Sequence, residues 1–193
     1  RVTALAPDET VGERLIKPVV KEIRKRFGRA VYSVKEEETL EMAVVRLLKK
    51  YELTMAAAES CTGGLLSGRI VNVAGASDVF KEGFVTYSNK AKRKHLDVSK
   101  STLKKYGAVS KETAREMAIG GVFATDSDMC ISVTGIAGPD GGTEEKPVGL
   151  VYMACCFKDK VTVEKYQFKG NRSKIREQAV VRALDLVRRT VLE

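Results

Sequence analysis

Apolar residues recur with two different periods along this chain, and the order of the periods predicts the architecture. Over residues 39–51 they fall at Leu40, Val44, Leu47 and Leu48, which lines one face of a helix. Residues 172–192 repeat that pattern with Ile175, Ala179, Val180, Ala183, Leu184 and Val187. Shorter apolar runs at 54–59, 79–87 and 129–134 read as strands. Two more, 148–157 and 161–168, are joined across Lys158-Asp159-Lys160 and read as a hairpin. Helices are expected between them at 62–73, 90–96 and 101–106. Another runs from an N-cap at Ser110 to about residue 124, with Thr113 in the place of a capping-box acid. Strands alternating with helices, interrupted by one hairpin, predict a three-layer α/β/α domain with a mixed sheet.

Residues 1–35 read differently. Residues 1–6 alternate like a short strand. A helix follows with Ile16, Val19, Val20 and Ile23 on one face and Lys17, Lys21, Arg24 and Lys25 on the other. Residues 30–34 form a second candidate strand. A unit this small buries little core of its own, so it is expected to be an appendage or the tail of a larger domain. Glu36-Glu37-Glu38 marks the break, and the main domain runs over 36–193.

Composition narrows the chemistry. Within 193 residues there is one histidine, His95, which excludes multi-histidine metal sites. It sits in the basic run 90–95, a poor setting for a Ser-His-Asp triad. Cys61, Cys130, Cys155 and Cys156 form no C-x-x-C pair, so free thiols and a reducing, cytoplasmic compartment are expected. No apolar run approaches the roughly 18 residues of a membrane span, and no secretory pattern opens the chain. The first residue is Arg1 rather than Met, which fits a piece of a longer protein. The net charge of +9 suits nucleic acid, anionic small molecules or a plain solvated face. Aromatic residues at 6% without tryptophan make a base-stacking platform a poor fit, so nucleic acid is not the expected partner. No cofactor and no metal are expected.

Two glycine-rich loops and one short cluster carry the candidate chemistry. In Ala58-Glu59-Ser60-Cys61-Thr62-Gly63-Gly64, Ser60 ends a strand and the next N–H groups open a helix. That arrangement suits a phosphate or an oxyanion; the plain alternative is a helix cap with glycines for close packing. Thr134-Gly135-Ile136-Ala137-Gly138-Pro139-Asp140-Gly141-Gly142-Thr143 follows a buried strand, where α/β sheets place ligands, or is a solvent loop. In Thr86-Tyr87-Ser88-Asn89-Lys90, a partly desolvated Lys90 can serve as a base for a serine, or can be one more exposed lysine. Cys61 is a rival nucleophile or a packed small residue. Arg172 and Arg176 suit a phosphate or surface ion pairs. Ser101-Thr102-Leu103-Lys104 reads as a capped helix, and Asp126-Ser127-Asp128 as a turn or a metal site.

Taken in order, five blocks resemble the CinA carboxyl-terminal domain family, the nicotinamide mononucleotide deamidases. They are 58–64, 86–90, Gly107-Ala108-Val109-Ser110, 134–139 and Lys146-Pro147-Val148-Gly149. The resemblance covers about residues 37–193; residues 1–35 resemble the end of the partial KH-like segment that precedes this domain in longer relatives. The family's molybdopterin-binding-like domain is not represented here, so its pyrophosphatase activity is not carried over. The resemblance implies hydrolysis of the carboxamide of nicotinamide mononucleotide, in pyridine nucleotide salvage. It implies Ser60 as nucleophile, with Tyr87 and Lys90 activating it. It also implies substrate binding by Thr62, Gly63, Gly64, Thr134, Gly135, Ala137, Gly138, Pro139 and Arg172, and a dimer or higher homo-oligomer. The competing expectations are a nucleotide-binding module without turnover and a nucleic-acid-associated module. No G-x-x-G loop stands in residues 1–35 to support the latter.

Overall fold

An interior strand of the sheet is built from the smallest side chains, and the layers follow from that. In the computed structural model, which describes residues 2–193, β1 (Met55–Glu59) is buried throughout and reads Met-Ala-Ala-Ala-Glu. It lies between β2 (Phe80–Val85) and β3 (Met129–Gly135) and is parallel to both. β4 (Leu150–Phe157) pairs antiparallel with β3, and β5 (Lys160–Gln167) antiparallel with β4. The order is β2-β1-β3-β4-β5, a mixed five-stranded sheet.

Alternation along β1 divides the core. Met55 and Ala57 face the cluster holding Leu48, Leu66, Ile175 and Leu184, supplied by α2 (Leu40–Lys50), α3 (Leu65–Val71) and α7 (Arg172–Leu192). Ala56 and Ala58 face Leu96, Leu103 and Met117, from α4 (Asn89–Leu96), α5 (Lys100–Tyr106) and α6 (Lys111–Thr125). Each buried leucine of these faces contributes about 1.5–3 kcal/mol relative to exposure. Side-chain caps start the helices: Thr39 for α2, Ser88 for α4, Ser110 for α6 and Asn171 for α7 each accept a backbone N–H of the first turn.

Glycine sets one close approach. A Cβ at Gly120 of α6 would lie 1.9 Å from the carbonyl oxygen of Leu96, so α6 rests directly on the end of α4. That contact holds α4 against the sheet.

The connection leaving β1 runs toward β2, and the one leaving β3 runs toward β4. The carboxyl ends of these adjacent strands therefore diverge and open a crevice. Ser60 and the 135–149 loop stand there.

The amino-terminal segment departs from expectation. Among described residues 2–35 there is no strand; α1 (Glu9–Phe27) and a single 3₁₀ turn at Gly28–Ala30 are its regular structure. Of the first expected strand, Arg1 lies outside the described residues. Both short alternating runs lack a sheet to join, and an isolated strand pair is marginal in water. α1 buries no residue. Among the described residues no helix is long and apolar enough to cross a membrane.

Candidate active site

The alternation that divides the core also delivers the serine. Glu59 turns toward α3, and Ser60, one residue on, turns toward α4. The Ser60 N–H still donates to the Val133 carbonyl at 2.9 Å, so the residue is fixed as an extension of the β1–β3 ladder. The residue is only 8% exposed.

The lysine that meets it is Lys92, not Lys90. Lys92 Nζ donates to Ser60 Oγ at 2.9 Å and to the Thr86 carbonyl at 2.7 Å. Lys92 is 0% exposed, whereas Lys90 is exposed on the outer side of α4. The physical reason is helical phase. Leu96 is the anchoring apolar residue of α4, and the position four before it, on the same face, is Lys92. That i, i+4 relation to Leu96 is the one hint the sequence carries, and it singles out Lys92 only once the packing shows that Leu96 anchors the helix. Thr86, which holds the amine's second bond, is fixed in turn by its N–H donating to the Glu59 carbonyl at 2.8 Å.

No carboxylate pairs with Lys92 among the described residues. Burial lowers its pKa from the ordinary lysine value to about 8, opposed by the neighbouring Cys61 sulfur. Cys61 itself is pushed up to about 11, chiefly by burial. A thiol in that state is a poor nucleophile near neutral pH, so Ser60 is the better candidate of the two.

Ser60, Cys61 and Lys92 open into a cleft of about 250 Å³. Ala108, Val109, Ile136 and Ala137 make its apolar wall, and Thr134, Gly135 and Gly138 also line it. Thr134 Oγ1 donates to the Ala108 carbonyl at 2.8 Å, which ties the wall to β3. Lys146 Nζ donates to the carbonyls of Tyr106 and Val109 and so fixes the loop over the α5–α6 connection. At the mouth, Arg172 donates to the Gly138 carbonyl at 2.8 Å and to Tyr87 Oη at 3.3 Å. Tyr87 is 64% exposed and has no hydrogen bond to Ser60 or Lys92 among the described residues, which places it at the rim. Pro139 is exposed and lies outside the lining, between Gly138 and Asp140, which belong to it. A larger hollow of about 450 Å³ lies between α4 and α6, but it holds no comparable nucleophile and base.

The residues expected to form an anion cradle are arranged otherwise. Gly64 donates its N–H to Glu59 at 2.9 Å, so that donor faces the protein rather than a ligand. Gly63 and Gly64 take positive φ values of 59° and 93°, which delays the start of α3 to Leu65. Thr62 is buried; its carbonyl accepts from Arg176 at 2.7 Å, and its hydroxyl has no partner among the described residues. Arg176 also donates to the Cys61 carbonyl at 3.0 Å, so it braces the loop, and of the two arginines Arg172 is the one that lines the cleft.

The remaining candidates are structural. Asp128 accepts from the N–H and hydroxyl of Thr54 and ties the starts of β1 and β3, while Asp126 ends α6 in a left-handed conformation. Ser99 caps α5, the helix that carries Ser101 and Lys104. Among the described residues no group of three or more histidine, cysteine or carboxylate side chains could hold a metal ion.

Comparison with known proteins shows the family and the fold. The family model described as the CinA C-terminal domain matches residues 37–191. A CinA-like protein of Kosmotoga olearia is 53% identical over 192 residues, covering the whole of this chain and 46% of the relative. The chain thus spans under half the length of such relatives. The crystal structure of the competence/damage inducible protein CihA from Agrobacterium tumefaciens superposes with a TM-score of 0.77 at 39% identity, covering 80% of this chain and 94% of that one. A CinA superfamily protein from Klebsiella pneumoniae superposes with a TM-score of 0.77 at 32% identity, covering 79% and 96%.

Proposed function

The chain belongs to the CinA C-terminal domain family, and we propose that its cleft hydrolyses the carboxamide of nicotinamide mononucleotide to nicotinate mononucleotide and ammonia. The observation that carries this is the Lys92 amine, buried without a counter-ion and 2.9 Å from Ser60 Oγ. A lysine with a pKa of about 8 has a usable neutral fraction near neutral pH. The choice of substrate rests on the family resemblance, and the cleft's apolar wall and mouth cation are compatible with it.

In the proposed reaction, neutral Lys92 takes the proton from Ser60 Oγ as that oxygen attacks the carboxamide carbon. The backbone N–H of Cys61, the residue after the nucleophile, would serve as a donor for the oxyanion. Collapse of the tetrahedral species breaks the C–N bond, and Lys92 passes its proton to the departing nitrogen, which leaves as ammonia. Water then attacks the acyl-serine ester, again giving a proton to Lys92. Collapse releases the carboxylic acid and returns the proton to Ser60. Ala108, Val109, Ile136 and Ala137 would hold the flat pyridine ring. Arg172, with Tyr87 beside it, would meet the phosphate at the mouth.

The test is ammonia release from nicotinamide mononucleotide by wild type and Ser60→Ala, prepared free of contaminating amidase. Turnover by wild type that falls on the order of 10⁴-fold or more in the variant supports the assignment. A silent wild type sinks it.

A further inference from the structure

The acid beside the nucleophile has a task of its own. Glu59 is fully buried at the end of β1, and its carboxylate meets four donors. Oε2 accepts from the N–H groups of Gly64 at 2.9 Å and Leu66 at 3.1 Å. Oε1 accepts from the N–H of Ser67 at 2.8 Å and its hydroxyl at 2.6 Å. Two donors on each oxygen fill the acceptor sites of the carboxylate. The residue at the usual cap position of α3, Gly64, supplies no side-chain cap. Glu59 therefore closes the turn 60–64 from inside. One end of that turn is fixed by the Ser60 N–H on Val133, the other by Glu59 on Gly64, and Arg176 holds the carbonyls between.

We propose that Glu59 is a positioning residue: its carboxylate shapes the serine turn so that Ser60 Oγ is presented to Lys92, without itself touching the reacting atoms. Strand alternation excludes it from acid–base work, because it faces α3 while Ser60 faces α4. The inference rests on Ser60 being the reactive group, the basis of the proposed amidase.

Two readouts separate this role from simple stabilisation and from the choice of substrate. The first is the rate of Ser60 labelling by a fluorophosphonate, which needs no nucleotide. The second is the division of any amidase effect between kcat and KM. Glu59→Gln keeps the volume but turns an NH₂ toward N–H donors. In folded Glu59→Gln, labelling and kcat are both expected to fall about 100-fold with KM nearly unchanged, as for a nucleophile displaced by about 1 Å. Ser67→Ala, which removes one of the four bonds and leaves the rest, is expected to label several-fold more slowly than wild type. It keeps the test open should Glu59→Gln not fold. Wild-type labelling rates in either folded variant overturn the proposal, as does a wild type that does not label at Ser60. A wild type that labels but leaves the mononucleotide intact defeats the amidase alone, and the labelling rates of the variants still decide the role of Glu59.

Discussion

The two sides of β1 each bury a charged side chain, and they treat it in opposite ways. On the α3 side, Glu59 is met by four donors and its acceptor capacity is filled. On the α4 side, Lys92 has a serine hydroxyl and one carbonyl, and no carboxylate among the described residues. A buried ion that is fully hydrogen-bonded belongs to the frame. A buried amine without a counter-ion is pushed toward its neutral form and has a lone pair to offer. The contrast shows why two ionisable groups flanking one strand take different parts, one shaping the turn and the other facing the nucleophile.

The strongest way to break this contrast is to remove the amine. Lys92→Met is expected to lower kcat for ammonia release by about 10²–10⁴-fold, the usual worth of a general base. Lys90→Met, altering the exposed neighbour, should stay within about threefold on the same principle. Equal losses in the two variants would erase the distinction between the inner and outer faces of α4. The melting temperature of Lys92→Met should be unchanged or higher, because an apolar side chain replaces an uncompensated buried amine.

A weaker effect comes from moving α4 rather than its lysine. Gly120→Ala places a methyl group against the Leu96 carbonyl and is expected to cost about 1–3 kcal/mol in urea unfolding, with amidase activity falling alongside. Full stability in that variant would show that α4 is held by other contacts.

Titration sharpens the contrast without a mutation. Since the reactive form of Lys92 is neutral, kcat/KM should rise about tenfold per pH unit below about 8 and level off above it. The stability effect has its own sign. Burial depresses the folded-state pKa, so between about 8 and the ordinary lysine value the unfolded chain binds the extra proton. Stability therefore rises with pH through that window, and the penalty for burying the ammonium is present in full below it. In Lys92→Met the melting temperature should lose that slope.

The smallest effect is expected at Cys61. Its thiol is pushed up to about 11 by burial, so Cys61→Ala should leave kcat within about threefold of wild type. Loss of activity comparable to Ser60→Ala would move the nucleophile to the neighbouring residue.

Much of the frame was legible beforehand where local chemistry decides it. The strand at β1, the hairpin of β4 and β5, the Ser110 cap and the stripe of α7 all rest on patterns complete within a short stretch of chain. Ser60 was legible as a polar residue where a strand meets two glycines, a pattern that a plain helix cap fits equally, and its expected role as nucleophile came from the family resemblance. α1 shows the limit. Its apolar spacing resembles that of α7, yet α7 buries nine residues and α1 buries none, because a stripe states what a helix can cover and not whether a surface is there.

By itself the sequence determined the alternation of strands and helices, the mixed sheet and the serine at the end of its first strand. These follow from periodicity, capping and glycine placement, which act over a few neighbouring residues. Only the tertiary structure decided which lysine reaches that serine, which way Glu59 points, and that the Gly64 N–H serves Glu59 rather than a ligand. α4 is eight residues with four cationic side chains and one large apolar residue, too sparse a pattern to set its own rotation. The packing of Leu96 beneath Gly120 sets it instead, and turns Lys92 inward and Lys90 out.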